Sequence, residues 1–222
     1  MSLPFQALIF DLDGTLADSL NEIGSAMNGA LREHGLPEQA LENYKAYVGD
    51  DAEQLASRSM PSGCTVPVKG VVDAYRLHYR RSEHANTWPY PGIDALLAAL
   101  HGLRIPMAVL SNKRDELTKA LVALRFPNSK FVVVRGERPG KPMKPDPSSA
   151  LEIAVALGFE PSRIGFVGDT AIDMKTATAA GMLAIGVLWG FRGKAELLEN
   201  GAKVLLAAPG ELLTLPESLA LR

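Results

Sequence analysis

Two aspartates stand two positions apart in the segment Ile9–Thr15, Ile-Phe-Asp-Leu-Asp-Gly-Thr, where an apolar run ends and a glycine follows. In an extended backbone, side chains at i and i+2 leave on the same side, so Asp11 and Asp13 can address one metal ion or one substrate. Two like charges that close need a cation between them. Aspartate can also attack phosphorus, splitting a hard phosphoryl transfer into two easier steps through an acyl phosphate. Asp11 would be that nucleophile, and Asp13 would protonate the leaving oxygen and later activate water. The same two residues would serve equally well as turn-forming carboxylates beside Gly14.

Three further segments carry groups of matching chemistry. Ser111 and Asn112 follow the run Ile-Pro-Met-Ala-Val-Leu and precede a helix expected from Lys113 or Arg114. A hydroxyl and the amides of a helix N-terminus suit a phosphate oxygen, and both residues equally suit an N-cap. Lys144 opens the string Lys-Pro-Asp-Pro, whose prolines restrict how the lysine is presented. Its ammonium could offset charge on a nucleophile and a phosphoryl group; the alternative is an exposed lysine before a helix starting at Pro147. Lys141 nearby lacks that restraint. Asp169 and Asp173, in Val-Gly-Asp-Thr-Ala-Ile-Asp, are spaced to align at the first turn of a helix after Gly168. Acidic residues favour a helix N-terminus in any case, but capping does not explain the second acidic pair at Asp11 and Asp13. Carboxylates with no His or Cys partner point to a hard cation, and Mg²⁺ fits.

The elements that must position these groups are legible as short apolar runs at Ala7–Phe10, Ile105–Leu110, Lys130–Val134, Ile164–Val167, Leu183–Leu188 and Lys203–Leu206. Runs of this length alternating with helix-sized segments predict an α/β fold, a Rossmann-like doubly wound parallel sheet with helices on both faces. Ligands of such sheets lie outside the carboxyl ends of the strands, where Asp11, Ser111 and Asp169 would converge. Between Leu16 and Thr87 the pattern changes to helical periodicity, at Leu20, Ile23, Met27 and Leu31, at Leu41, Tyr44 and Val48, and at Val68, Val72, Tyr75 and Tyr79. The expected organisation is a catalytic core of residues 1–15 and 88–222 with a small α-helical cap domain at residues 16–87. Trp88-Pro-Tyr-Pro-Gly92 would be the return hinge before a helix near Ile93.

Composition narrows the partners. A chain of 222 residues that is 47% hydrophobic can bury a substantial core. A net charge of −2 with scattered basic residues gives no reason to expect nucleic acid, so an anionic substrate needs a local pocket. The single cysteine, Cys64, excludes an internal disulfide framework and fits a reducing compartment. The N-terminus has no basic signal-peptide region, and no run is long enough to span a membrane. A soluble cytoplasmic protein, monomer or homodimer, is expected.

Taken together, the four stations resemble those of the haloacid dehalogenase superfamily of phosphotransferases. Asp11-Leu-Asp13-Gly-Thr is similar to its first motif, Ser111 to its second, Lys144 to its third, and Gly168-Asp169 through Asp173 to its fourth. The helical insertion is similar to that family's type 1 cap. The resemblance implies Asp11 as nucleophile and Mg²⁺ ligand, and Asp13 as acid/base that also ligates through its backbone carbonyl. It further implies Asp169 as direct ligand, Asp173 as its support, and Gly14, Ser111, Asn112 and Lys144 around the transferring phosphoryl group. Asp13 argues against the dehalogenase branch, whose members lack it.

Ser111-Asn112-Lys113, Val48-Gly49 with Leu55 and Arg58, and Gly186-Val-Leu-Trp-Gly-Phe191 resemble strings of phosphoglycolate phosphatases, so the implied substrate is a small phosphorylated metabolite, 2-phosphoglycolate first. Asp50 and Asp51 depart from that pattern and would face solvent or cap a helix. Arg58 is the candidate contact for the substrate's distal group, ahead of Lys69, Arg76 and Arg80, against the commoner role of a solvated helix face. His34, His78, His84 and His101 fall on helical segments with no catalytic part. The alternatives are a sugar phosphomutase, a pyrophosphatase or nucleotidase of the same superfamily, and a binding module without turnover.

Overall fold

A computed structural model describes residues 3–221. Six parallel strands form the main sheet: β1 (Ala7–Phe10), β4 (Met107–Arg114), β5 (Phe131–Glu137), β6 (Ile164–Gly168), β7 (Leu183–Val187) and β8 (Val204–Leu206). Two short strands, β2 (Ala17–Asp18) and β3 (Trp88–Pro89), pair with each other. The order across the main sheet is β5-β4-β1-β6-β7-β8. Chain order therefore runs outward from β1 in one direction and then resumes at β6 in the other, so the switch point lies between β1 and β6.

Burial on both faces explains why these strands are nearly continuous apolar runs. Along β1, Leu8 and Phe10 join one core, with Met107 and Val109 of β4, while Ala7 and Ile9 join the other, with Ala108 and Leu110. The first core is closed by α5 (Ile93–Gly102) and α6 (Asp115–Arg125) through Ile93, Leu96, Leu97, Leu100, Leu121 and Val122. The second is closed by α7 (Ser148–Leu157) and α8 (Ala171–Ala179) through Ala150, Ile153, Ala154, Met174 and Ala177, and by Leu197 of α9 (Lys194–Glu199). Each large aliphatic side chain so buried contributes about 1.5–3 kcal/mol of transfer free energy.

The chain divides into two compact units, one running up to Ala17 and resuming at Pro89, the other Asp18–Trp88. The second contains α1 (Leu20–Glu33), α2 (Tyr44–Tyr47), α3 (Ala52–Ser59) and α4 (Val68–Arg81), with no strand of the main sheet. Ile23, Met27 and Leu31 of α1 are buried, as are Val71, Val72, Tyr75 and Tyr79 of α4, in the 3.6-residue period of the sequence. A neutral polar network lies among them: the Tyr44 hydroxyl donates to Asn28 Oδ1 at 2.6 Å, and Asn28 exchanges two bonds with the backbone of Gln39.

Three local expectations are corrected. The helix after β4 starts at Asp115 rather than Lys113 or Arg114, because β4 stays extended through Arg114, paired with Glu137 of β5. Ser111 and Asn112 are therefore strand residues and cap no helix. Asp51, by contrast, does cap α3, accepting from the Gln54 N–H at 2.7 Å. His78 and His101 lie in α4 and α5, whereas His34 is the residue that terminates α1 and His84 sits in a turn beyond α4 with φ of 59°.

Candidate active site

At the switch point, β1 delivers Asp11 and β6 delivers Asp169, each one residue past its strand. The Asp11 N–H donates to Val167 O at 2.9 Å, which ties the first carboxylate to the neighbouring strand. Beyond Asp11 the chain reverses around Leu12 O, which accepts from Thr15, Leu16 and Ala17, with Gly14 at φ +86°. Only glycine is comfortable there, and a β-carbon at Gly14 would strike the carboxylate of Asp169. Gly168 stands in the same relation to Asp173, and Gly190 to Asp169 and Gly14 O. Three glycines thus leave the room in which two carboxylates sit.

Asp11, Asp169 and Asp173 are buried and offer ligand oxygens within 4.8 Å of one another. Each has defined partners. Asp169 accepts from Thr15 Oγ1 at 2.9 Å and from the Phe191 N–H at 2.8 Å. Asp173 is residue N3 of α8: its Oδ2 accepts from the N–H and hydroxyl of Thr170, completing a capping box, while its Oδ1 faces Lys144 Nζ at 2.7 Å. Helix capping and a site role are therefore not alternatives, because one oxygen serves each. Lys144 Nζ also lies 2.8 Å from Asp11 Oδ1, so one buried ammonium bridges two carboxylates.

The position of Lys144 depends on Asn112. The Asn112 amide donates to Lys144 O at 3.0 Å, and the Lys144 N–H donates to Asn112 Oδ1 at 2.9 Å, clamping the loop to the end of β4. A cis peptide joins Lys144 to Pro145. Ser111 is buried beside this clamp, and its Oγ accepts from the Lys113 N–H at 3.2 Å. Lys113, for which the sequence suggests no role in the site, turns to Asp13 and meets both its oxygens at 2.7 and 2.6 Å. Its signal was its place next to Ser111 and Asn112. Thr15 and Phe191, the partners of Asp169, went unassigned because a hydroxyl and a backbone amide carry no distinctive local pattern.

Electrostatics explains what this cluster lacks. Burial, and then the charge of Asp173, push the Asp11 carboxyl up to about 7 although Lys144 pulls the other way. Burial likewise raises Asp169 well above the usual range, with Asp173 and Asp11 adding to it. Burial disfavours the charge on Lys144, but Asp11 and Asp173 outweigh it and hold the ammonium above its ordinary value. Three clustered carboxylates, two of them on the one lysine, leave an excess of negative charge where water is excluded. An all-oxygen donor set with that deficit fits a hard divalent cation of the Mg²⁺ kind.

The remaining candidate, Arg58, lies in the helical unit and is engaged there. Its guanidinium pairs with Asp50 at 2.6 Å and donates to Tyr47 O at 3.0 Å, with the side chain 38% exposed. Lys69 and Arg76 both pair with Asp73.

Residues 8–187 match the family model described as haloacid dehalogenase-like hydrolase. A phosphoglycolate phosphatase of Aquifex aeolicus is 31% identical over 214 residues, covering 96% of this chain and 97% of its own length. One from Chromobacterium violaceum is 33% identical, covering 95% of this chain and 96% of its own. A crystal structure of a Lactobacillus delbrueckii subsp. bulgaricus protein superposes with a TM-score of 0.86 at 29% identity, over 94% of this chain and 96% of that one.

Proposed function

The chain belongs to the haloacid dehalogenase-like hydrolase family and is a phosphatase, and from that premise we propose its chemistry. It hydrolyses a small phosphomonoester, 2-phosphoglycolate first, through an aspartyl phosphate on Asp11, with Mg²⁺ held by Asp11, Asp169 and the Asp13 backbone carbonyl and Asp173 in support. The observation that carries this reading is the buried grouping of Asp11, Asp169 and Asp173, with Lys144 on the first and last of them. The relatives named as phosphoglycolate phosphatases support the substrate, since they align over nearly the whole chain.

With Lys144 on Oδ1 of Asp11, the second oxygen attacks phosphorus as the P–O bond to the leaving group breaks. Asp13 gives that departing oxygen its proton, so the alcohol leaves neutral. Asp13 then takes a proton from water, whose oxygen attacks the acyl phosphate, releasing phosphate and restoring the Asp11 carboxylate. Lys144 and Ser111 hold the transferring oxygens, and Asn112 acts by fixing Lys144. When bound, Mg²⁺ supplies the positive charge that the carboxylates leave short and draws charge from the phosphoryl oxygens.

The test is phosphate release from a panel of phosphorylated metabolites, with and without Mg²⁺, for the wild type and Asp11→Asn. Turnover should need the cation, favour phosphoglycolate and fall by at least about 10³-fold in the variant. Undiminished hydrolysis by Asp11→Asn would remove Asp11 as the nucleophile, and preference for another ester would replace the substrate alone.

A further inference from the structure

Asp11 and Asp13 are near neighbours of the same charge, and each is taken by a different lysine, one from the loop before α7 and one from the end of β4. Asp11 meets Lys144, and Asp13 meets Lys113, which reaches both carboxylate oxygens at 2.6–2.7 Å. The second pair is nearly as shielded as the first, with side chains 8% and 11% exposed. Its partners are separated by 100 residues, so it is a product of strand order rather than of local sequence.

Lys113 is seated with unusual care for a lysine. The pairing of β4 with β5 shifts register between Leu110 and Arg114, and such irregularities re-aim side chains next to active sites. Across this stretch Asn112 turns to Lys144 and Lys113 turns to Asp13. The Lys113 backbone is held from both sides: its N–H donates to Ser111 Oγ at 3.2 Å and its carbonyl accepts from Thr118 Oγ1 at 3.0 Å. Gly136 leaves the space for that carbonyl, since a β-carbon there would strike Lys113 O and the backbone of Asp115. A flexible four-carbon ammonium stem held at its root in this way delivers its charge to one place.

We propose that Lys113 is a positioning residue for Asp13, drawing its carboxylate away from the Asp11, Asp169 and Asp173 cluster and aligning it to exchange protons with the leaving oxygen. The inference rests on Asp13 being the acid of the proposed mechanism. Without Lys113, which meets both Asp13 oxygens, neither carboxylate oxygen has a fixed direction. The first lysine then keeps the nucleophile for phosphorus, and the second keeps the acid for the leaving group.

Proton delivery matters for an alkoxide leaving group and hardly at all for a nitrophenolate, which departs as the anion. The experiment therefore compares kcat/KM for ethyl phosphate, 2-phosphoglycolate and 2,4-dinitrophenyl phosphate in the wild type, Lys113→Met, Lys113→Arg and Asp13→Asn, all in the presence of Mg²⁺. Lys113→Met should lose roughly 30-fold or more on both alkyl esters, and that loss should exceed the loss on the dinitrophenyl ester at least about tenfold. Lys113→Arg should recover much of it, and Asp13→Asn should show the same dependence more strongly. The dinitrophenyl ester also reports whether each variant is folded. Equal losses on all three esters would overturn the inference, as would a loss confined to 2-phosphoglycolate, which would make Lys113 an anchor for the substrate carboxylate. If Asp13→Asn itself shows no dependence on the leaving group, the assignment of Asp13 as the acid fails first, and that result is separable from a failure at Lys113 alone.

Discussion

The carboxyl ends of the central strands and the helical unit Asp18–Trp88 use charge in opposite ways. At the strand ends, Lys144 pairs with Asp11 and Asp173 and Lys113 pairs with Asp13, all shielded from water and joining residues 29 or more apart in sequence. In the helical unit the lysine and arginine pairs are close in sequence and open to solvent, as in Lys45–Glu42, Lys69–Asp73 and Arg58–Asp50. Exposed pairs are worth about 0–1 kcal/mol because water competes and side-chain entropy is lost. Removing one partner of a buried pair strands the other charge without water, at about 3–5 kcal/mol. What the helical unit buries instead is the neutral Asn28, Gln39 and Tyr44 network and, among the described residues, one carboxylate, Glu22, whose Oε2 accepts from the Asn86 N–H at 2.6 Å. Buried lysine–carboxylate pairs thus gather at the strand ends, and the helical unit relies on neutral polar groups and backbone donors.

Substitutions on the two sides should separate accordingly. The largest effect is expected from Lys144→Met, which strands Asp11 and Asp173. Denaturant unfolding of the metal-free protein should show a loss of about 3–5 kcal/mol, and phosphate release should fall at least about 100-fold. A smaller loss in stability would mean that the carboxylates find another cation or take up protons.

Gly190→Ala tests the space around the cluster without touching charge. Its β-carbon would collide with Asp169 and with Gly14 O, so a cost of about 1–3 kcal/mol is expected, together with weaker Mg²⁺ binding by calorimetry. Next in size is the response to the cation. Millimolar Mg²⁺ should raise the melting temperature by several degrees, as ligand linkage requires, and Asp169→Asn should abolish that rise. In the absence of metal, the same variant should melt no lower than the wild type, because it relieves repulsion with Asp11 and Asp173.

The smallest effect should come from Arg58→Ala, where the exposed pair with Asp50 predicts a change within about 0.5 kcal/mol. If its kcat/KM on 2-phosphoglycolate nevertheless falls more than about tenfold, Arg58 leaves Asp50 for substrate, and the contrast between the two regions narrows.

Much of the sheet was legible because its strands are buried on both faces, and double burial writes an uninterrupted apolar run such as Ala7–Phe10. The doubly wound parallel arrangement followed from how those runs alternate with helical periods. The end of β4 is not legible in the sequence because Ser111 through Arg114 are polar, and hydrophobic period says nothing about a strand there. No helix among the described residues is long and apolar enough to cross a membrane, in keeping with the absence of such a run in the sequence.

Sequence alone determined which carboxylates stand at strand ends and where glycine frees the turn beside them, because both are local consequences of an apolar run meeting a polar one. It determined the acidic pairs at Asp11 and Asp13 and at Asp169 and Asp173 as chemical stock. Tertiary structure alone decided how that stock is divided. Strand order sets β1 beside β4 and β6, which brings Asp11 together with Asp169 and Asp173, commits Lys144 to two carboxylates, spends Asn112 on Lys144 and sends Lys113 to Asp13. Those pairings are made between side chains far apart in the chain, and the physical reason they escape sequence reading is that register and crossover, not local period, set which ends meet.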